Sequence, residues 1–336
     1  MNDVNASEVR SANRTARKST WAKLCMLAGL LAILAILPLF PGTAYRLHIL
    51  ILTFIYIVAA VSFRTISISG QFSISHAAFM GIGAYASGMA SKWLGWSPWI
   101  TIPVGGIVAM LFGMIIAYPF SRLRAMYYAM GSLFCGVAII SIISTGGSWT
   151  GGYAGLAGIP PLLTGSRIPY YYFFLGLALV SVVALYRFEF SRIGLTLKAI
   201  AQSHTVASSV GINESSYRVL AVGVGCFFVG LVGAAYGHYN MVLSPTSFNL
   251  GTTLWIIMYT LIGGIGSFAG PVIGTVVLVL IPDFARSLKG YLPFVSAGIL
   301  LIIAYLMPEG LVGLPQVIRG WASKHWEKKG VLTDAP

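Results

Sequence analysis

The polar groups best placed to do chemistry in this chain occur in two short stretches set among apolar residues. Gly70-Gln-Phe-Ser-Ile-Ser-His76 carries an amide, two hydroxyls and an imidazole, and Gly263-Gly-Ile-Gly-Ser-Phe-Ala-Gly-Pro271 carries four glycines and a proline. A helix interrupted at membrane depth is tolerated only where protein or a water-filled cavity satisfies the freed backbone groups. Both stretches are therefore candidates for lining a pathway, with Gln71, Ser73, Ser75, His76, Gly263, Gly264 and Gly266 as its residues. For His76 the competing reading is a satisfied polar group bridging two helices.

What is missing narrows the chemistry further. No Gly-x-x-x-x-Gly-Lys-Ser/Thr loop exists to cradle a nucleotide phosphate. The histidines His48, His76, His204, His238 and His325 lie far apart, and none has a metal-ligating partner at three or four residues. Cys25, Cys135 and Cys226 all fall in apolar runs without a CxxC spacing and read as small core residues. No residue is assigned a catalytic role, a metal or a cofactor. Between Glu8 and Glu189 there is no acid at all, and Glu189, Glu214, Asp283 and Glu309 fall at segment ends. Ion-coupled carriers usually keep a carboxylate inside the membrane, so that class is disfavoured, with carbonyl-only sodium sites its surviving form.

The elements that position these groups are membrane helices. Of 336 residues, 57% are hydrophobic and 9% charged, where a soluble domain carries about 25% charged. The net charge of +13 does not mark a nucleic-acid binder, because the basic residues fall in tails and short loops without aromatic interleaving. Apolar runs long enough to span predict an all-α, polytopic bundle of about 8 to 10 transmembrane segments, some broken or re-entrant. The candidates are 24–40, 46–63, 70–91, 97–118, 125–145, 169–186, 217–238, 252–268, 270–286 and 291–307. Small residues at helix-packing spacing, Gly266/Gly270/Gly274, Gly233/Gly237 and Ala84/Gly88, predict close helix contacts.

Alternating from a cytoplasmic N-terminus puts sixteen of the 21 Lys and Arg residues on the inner side, Arg64 among them in an inner loop. That bias supports both termini in the cytosol of a bacterial inner membrane. The domain reading is then a basic cytoplasmic tail over 1–23, a permease domain over 24–315 and a cytoplasmic tail over 316–336. Within the domain, 187–218 forms a cytoplasmic loop and 146–168, rich in glycine, an external one.

The cytoplasmic interval is the one long polar stretch between apolar segments. In it Ser203 is an N-cap type, His204 to Val210 make about two turns of helix, and Gly211 with Ile212 and Asn213 is a stop signal. A short helix hung between two spans is either a plain connector or a docking helix for a partner. A many-span protein with a pathway and no energy source must borrow energy, and such a helix is what borrowing needs.

Four blocks, in this order, complete a resemblance: Gly70 to Tyr85, Thr150 to Pro160, Ser191 to Asn213, and Gly263 to Pro271, with Arg122-Leu-Arg124 and Tyr127 similar to a further family block. Over roughly 45 to 315 the chain resembles the membrane permease subunit of bacterial ABC importers for branched-chain amino acids. The resemblance implies that Gln202, Ser203, His204, Val206, Ala207, Val210, Gly211 and Ile212 form a coupling helix seated on a separate cytosolic ATPase subunit, which uses the ATP. It implies a second homologous permease subunit and a periplasmic substrate-binding protein. The family usually has acids in the coupling block, where this chain has Gln202 and His204. Within the same family the solute could instead be urea, a short amide or another small organic molecule. Outside it, a non-transporting membrane scaffold is the other alternative.

Overall fold

The computed structural model describes residues 44–284 apart from Arg124 and Thr164, together with Pro38, Gly298, Gly310 and Leu311. The tails, and all but single residues of the expected spans 24–40 and 291–307, lie outside the described residues.

The described chain is a helix bundle with one two-residue strand pair. In order it forms α1 (Ala44–Ser67), α2 (His76–Leu94), α3 (Pro98–Phe120), α4 (Ala125–Thr145), α5 (Gly147–Thr150), β1 (Leu156–Ala157), α6 (Arg167–Glu189), α7 (Arg192–Gln202), α8 (His204–Ser209), α9 (Glu214–Asn240), β2 (Val242–Leu243), α10 (Leu250–Gly263) and α11 (Ala269–Phe284). Five helices, α1, α3, α4, α6 and α9, are long and apolar enough to cross a membrane, at about 1.5 Å of rise per residue. The chain is thus a multi-pass membrane protein.

Local sequence sets the helix boundaries. Pro98 sits in the first turn of α3, where a missing N–H costs nothing. Asn213 and Asn249 cap α9 and α10 by accepting from the N–H groups of Ser216 and Thr252 at 3.3 and 3.1 Å. The expected third span begins later than its apolar run suggests. Residues 70–75 are not helical, and α2 starts only at His76. The stretches 252–268 and 270–286 become the shorter helices α10 and α11, with 14 and 16 residues, meeting at the glycine run in the broken form that run implies.

In lipid, helices associate by close backbone approach rather than by hydrophobic burial. Here α9 is the hub. A Cβ on Gly83 of α2 would enter the backbone of Gly230, one on Gly230 would meet Ala109 of α3, and one on Gly233 would meet the Met80 backbone. The apolar core runs from α1 through α2, α3, α6 and α9. The expected close contacts form at Gly233, Gly270 and Gly274, whereas Gly88 faces the side chains of Ile159, Leu243 and Leu156 in the non-helical end of the bundle, and Gly266 has nothing within 4 Å of an added Cβ and sits exposed in the turn after α10. Its spacing matches a packing motif, yet the helix ends before the residue is reached.

Two ends of the bundle can be told apart. At one, β1 pairs antiparallel with β2, Leu156 opposite Leu243, and His238 ties three elements together: Nδ1 donates to the Pro160 carbonyl at 2.7 Å, while Nε2 meets Ser87 Oγ at 2.9 Å and Thr101 Oγ1 at 3.2 Å. Trp93, Trp96, Trp99, Trp149 and Tyr153 are exposed there, as in an interfacial aromatic belt. The opposite end carries α7 and α8.

Candidate functional site

The interval 187–218 is more ordered than a polar loop. Ser191 caps α7: its hydroxyl donates to the Phe188 carbonyl at 2.6 Å and accepts from Gly194 N–H at 3.4 Å. Gly194 lies against the carbonyls of Phe188 and Glu189, so the α6–α7 corner leaves no space for a side chain. Leu197 and Ile200 turn inward and are fully buried. In sequence this stretch is part of the one long polar interval, and the inward face of Leu197 and Ile200 shows only in the folded chain.

The short helix is where the sequence puts it. Ser203 Oγ accepts from Val206 N–H at 3.4 Å. At the other end Gly211 adopts φ +82°, its N–H reaching the Ser208 carbonyl at 3.0 Å while Ile212 N–H reaches Ala207 at 3.2 Å. That pair of bonds is a Schellman closure, and it needs a left-handed residue that glycine supplies without steric cost. Ala207 is buried, Ser203, His204 and Ile212 are half-buried, and Gln202 is exposed. Val206 and Val210 are 63% and 71% exposed, so a six-residue helix fixed at both ends presents two branched apolar side chains away from the bundle.

The segment 70–76 threads between α1, α2 and α4. His76 Nε2 lies 2.9 Å from Ser62 Oγ, which lies 2.9 Å from the Ala59 carbonyl. Both contacts are satisfied when Ser62 donates to Ala59 and accepts from His76 Nε2–H. His76 is bonded to α1 through Nε2, fully buried and edge-on to Phe63, while its Nδ1 has no partner among the described residues. Ser73 and Ser75 bond each other at 3.2 Å, and Ile74 N–H donates to Ser132 Oγ at 2.9 Å. Gln71 is 3% exposed, and neither its amide nitrogen nor its oxygen has a partner among the described residues.

Two cavities meet this segment. One, of about 250 Å³, is lined by Ile74, Ser75, Ala78, Val137, Phe248 and Thr253 among others. The second, of about 400 Å³, is lined by Ser69, Gly70, Gln71, Gln202, His204 and Arg218 among others. The unwound residues therefore border two cavities, an apolar one that opens between α4 and the start of α10, and a more polar one beside α7 and α8. Gly263 and Gly264 belong to another junction, where Gly263 lies against the Gly270 backbone and Gly310 against Gly264. The two predicted pathway groups are distinct places.

The residues that sequence reasoning missed are charged. Arg64, expected in a loop, lies inside α1 at 3% exposure, and Glu189 at the end of α6 is fully buried. Arg64 Nε donates to Glu189 Oε2 at 3.1 Å and Nη2 to Oε1 at 2.8 Å. Lys198 of α7 completes the group at 2.9 Å from Oε1. The pairing explains the correction, since a guanidinium is buried when a carboxylate meets it two-pronged. The first acid after Glu8 was the available signal.

Comparison with known proteins places the chain among transport permeases. The chain is 23% identical to the high-affinity branched-chain amino acid transport system permease protein LivM of Salmonella typhimurium, over 84% of this chain and 74% of that protein. Its similarity to the E. coli LivM has the same extent. It is 28% identical to the E. coli permease protein LivH over 38% of this chain and 42% of that one. No solved structure matches. Residues 45–307, most of the chain, match the permease component of the branched-chain amino acid transport system, and the chain belongs to that family.

Proposed function

We propose that this chain is a membrane-spanning subunit of an ATP-driven importer for branched-chain or other small hydrophobic amino acids. It works beside a second permease subunit, takes solute from a periplasmic binding protein, and leaves ATP hydrolysis to cytosolic subunits docked on α8. The observation that carries this reading is α8 itself, capped at both ends and offering Val206 and Val210 outward. A surface that exposes two large apolar side chains on a rigid support fits a groove on another protein. In this reading the α7–α8 end and both termini face the cytosol.

The cavity beside Ser75 supports that solute class. Ile74, Leu133, Val137, Ile140 and Phe248 suit a branched hydrocarbon, while Ser75, Ser141 and Thr253 suit a polar head group. Such a lining favours an apolar amino acid over urea or a short amide. ATP-driven closure of the partner would move α8, and a differential of a few kcal/mol between conformers shifts their ratio about a hundredfold.

Uptake of labelled leucine by cells expressing this chain with its companion subunits tests the reading. Uptake that stops on ATP depletion and survives an ionophore supports it. Collapse with the ionophore alone would make the protein an ion-driven carrier, and no uptake defect on deletion would make it a scaffold.

A further inference from the structure

Glu189 sits where three elements converge, yet neither the docking helix nor the cavities use it. It is the last residue of α6, fully buried, held by two hydrogen bonds from Arg64 of α1 and by Lys198 of α7 at 2.9 Å. We propose that Glu189 is the joint through which motion of α7 and α8 reaches the membrane helices, with Lys198 as its strut and Arg64 as its anchor. This rests on α8 being the point where the partner pushes.

The geometry is that of a braced lever. Its pivot is the α6–α7 corner, which the Ser191 cap and the close packing of Gly194 keep in one place. Beyond it α7 runs in one piece to Gln202, and α8 follows after the single residue Ser203. Lys198 lies about 9 Å along the helix from Arg192 at 1.5 Å per residue, so rotation about the corner must stretch or compress its contact with Glu189. The displaced carboxylate carries Arg64 with it, because a two-pronged guanidinium contact fixes direction as well as distance.

Arg64 belongs to the helix best placed to spread that movement. Of the five span candidates, α1 is the most buried, at 78% of its window, and it packs against α6, α9, α10 and α11. The unwound segment 70–75 begins three residues after α1 ends, and Ser62 of α1 holds His76. Movement of α1 at Arg64 therefore reaches the segment that borders both cavities.

A buried ion group of this kind is weak as a device for stability, because desolvation of the charges offsets their attraction. It is strong in direction, and Arg64 Nη1 still lacks a partner among the described residues. A group that ties three elements to one carboxylate and leaves a buried donor unspent is built for orientation.

The test reconstitutes the complete transporter in liposomes with Glu189→Gln or Lys198→Met, and measures uptake, ATP hydrolysis and subunit assembly together. Glu189→Gln should assemble and hydrolyse ATP within about twofold of wild type while ATP consumed per solute rises at least tenfold. Lys198→Met, which leaves the buried pair intact, should raise it about threefold. Uptake and hydrolysis falling in parallel, or an unchanged ratio, would overturn the proposal. If Glu189→Gln fails to accumulate, the Lys198→Met ratio decides alone. Failure of the ATPase to assemble with wild type would instead sink the docking reading on which the proposal stands.

Discussion

Gly83 of α2 and Gly230 of α9 cross with their backbones in direct contact, leaving no room for a methyl group on the α2 side. The crossing holds three of the central helices, since Gly230 also faces Ala109 of α3. Inserting bulk into a packed core typically costs about 1–3 kcal/mol, and backbone cannot yield as a side chain can. Gly83→Val should therefore lower the melting temperature of the detergent-solubilised protein by several degrees or abolish accumulation. Gly266→Ala, at a turn with open space around it, should leave melting unchanged and serves as the control.

The termini of α8 make a prediction about local order. Replacing an N-cap serine by alanine costs about 1 kcal/mol, and a side chain at a left-handed position costs roughly 1–2 kcal/mol. Ser203→Ala and Gly211→Val should each speed amide hydrogen exchange at Val206 to Val210 by about fivefold or more, with exchange in α9 unaffected. Exchange that stays at wild-type rates in both variants would mean that the caps do not hold the helix.

Glu189 and Arg64 predict a difference between breaking a buried ion group and replacing it. Removing one member of such a group costs about 3–5 kcal/mol, whereas exchanging both for apolar residues of similar volume is often neutral. Glu189→Ala should destabilise the protein strongly, and Arg64→Met with Glu189→Leu should recover most of the loss in thermal unfolding. Equal destabilisation by the single and double changes would show that the charges themselves hold the bundle.

How far the sequence reveals these features depends on how local the physics is. The Ser203 cap and the Gly211 stop are legible because both bonds close within a few residues, and the breaks at 70–76 and 263–271 are legible because Gly, Ser and Pro punctuate apolar runs. Arg64 is not legible in the same way. Its partner lies 125 positions away, and an arginine after an apolar run ordinarily marks a loop. Helix α7 was hidden for a related reason: Leu197 and Ile200 show their inward face only once α6 and α1 provide something to face. For His76, both readings were available from sequence, and only the position of Ser62 shows its bond to α1.

His238 predicts the behaviour of the opposite end. Its ring is the link between the Pro160 carbonyl and the hydroxyls of Ser87 and Thr101. His238→Phe removes every one of those bonds while keeping a ring of similar size. Residues 146–168 should then be cut more rapidly by protease added to the detergent-solubilised protein, at least threefold faster than wild type. Unaltered cleavage would show that the β1–β2 pair and the bonds from Lys92, Tyr170 and Met241 secure the loop without His238.

Val206 offers the most direct measurement of the whole account. Val206→Asp places a charge on the exposed face of α8 proposed to dock the ATPase, while the helix caps and the buried Ala207 stay as they are. Purified with its companion subunits, this variant should lose the ATPase subunit from the complex, and substrate-stimulated ATP hydrolysis should fall at least tenfold as the permease itself remains folded. A Val206→Asp complex that keeps its ATPase and its full stimulation by substrate would contradict the claim that α8 is where this permease is driven.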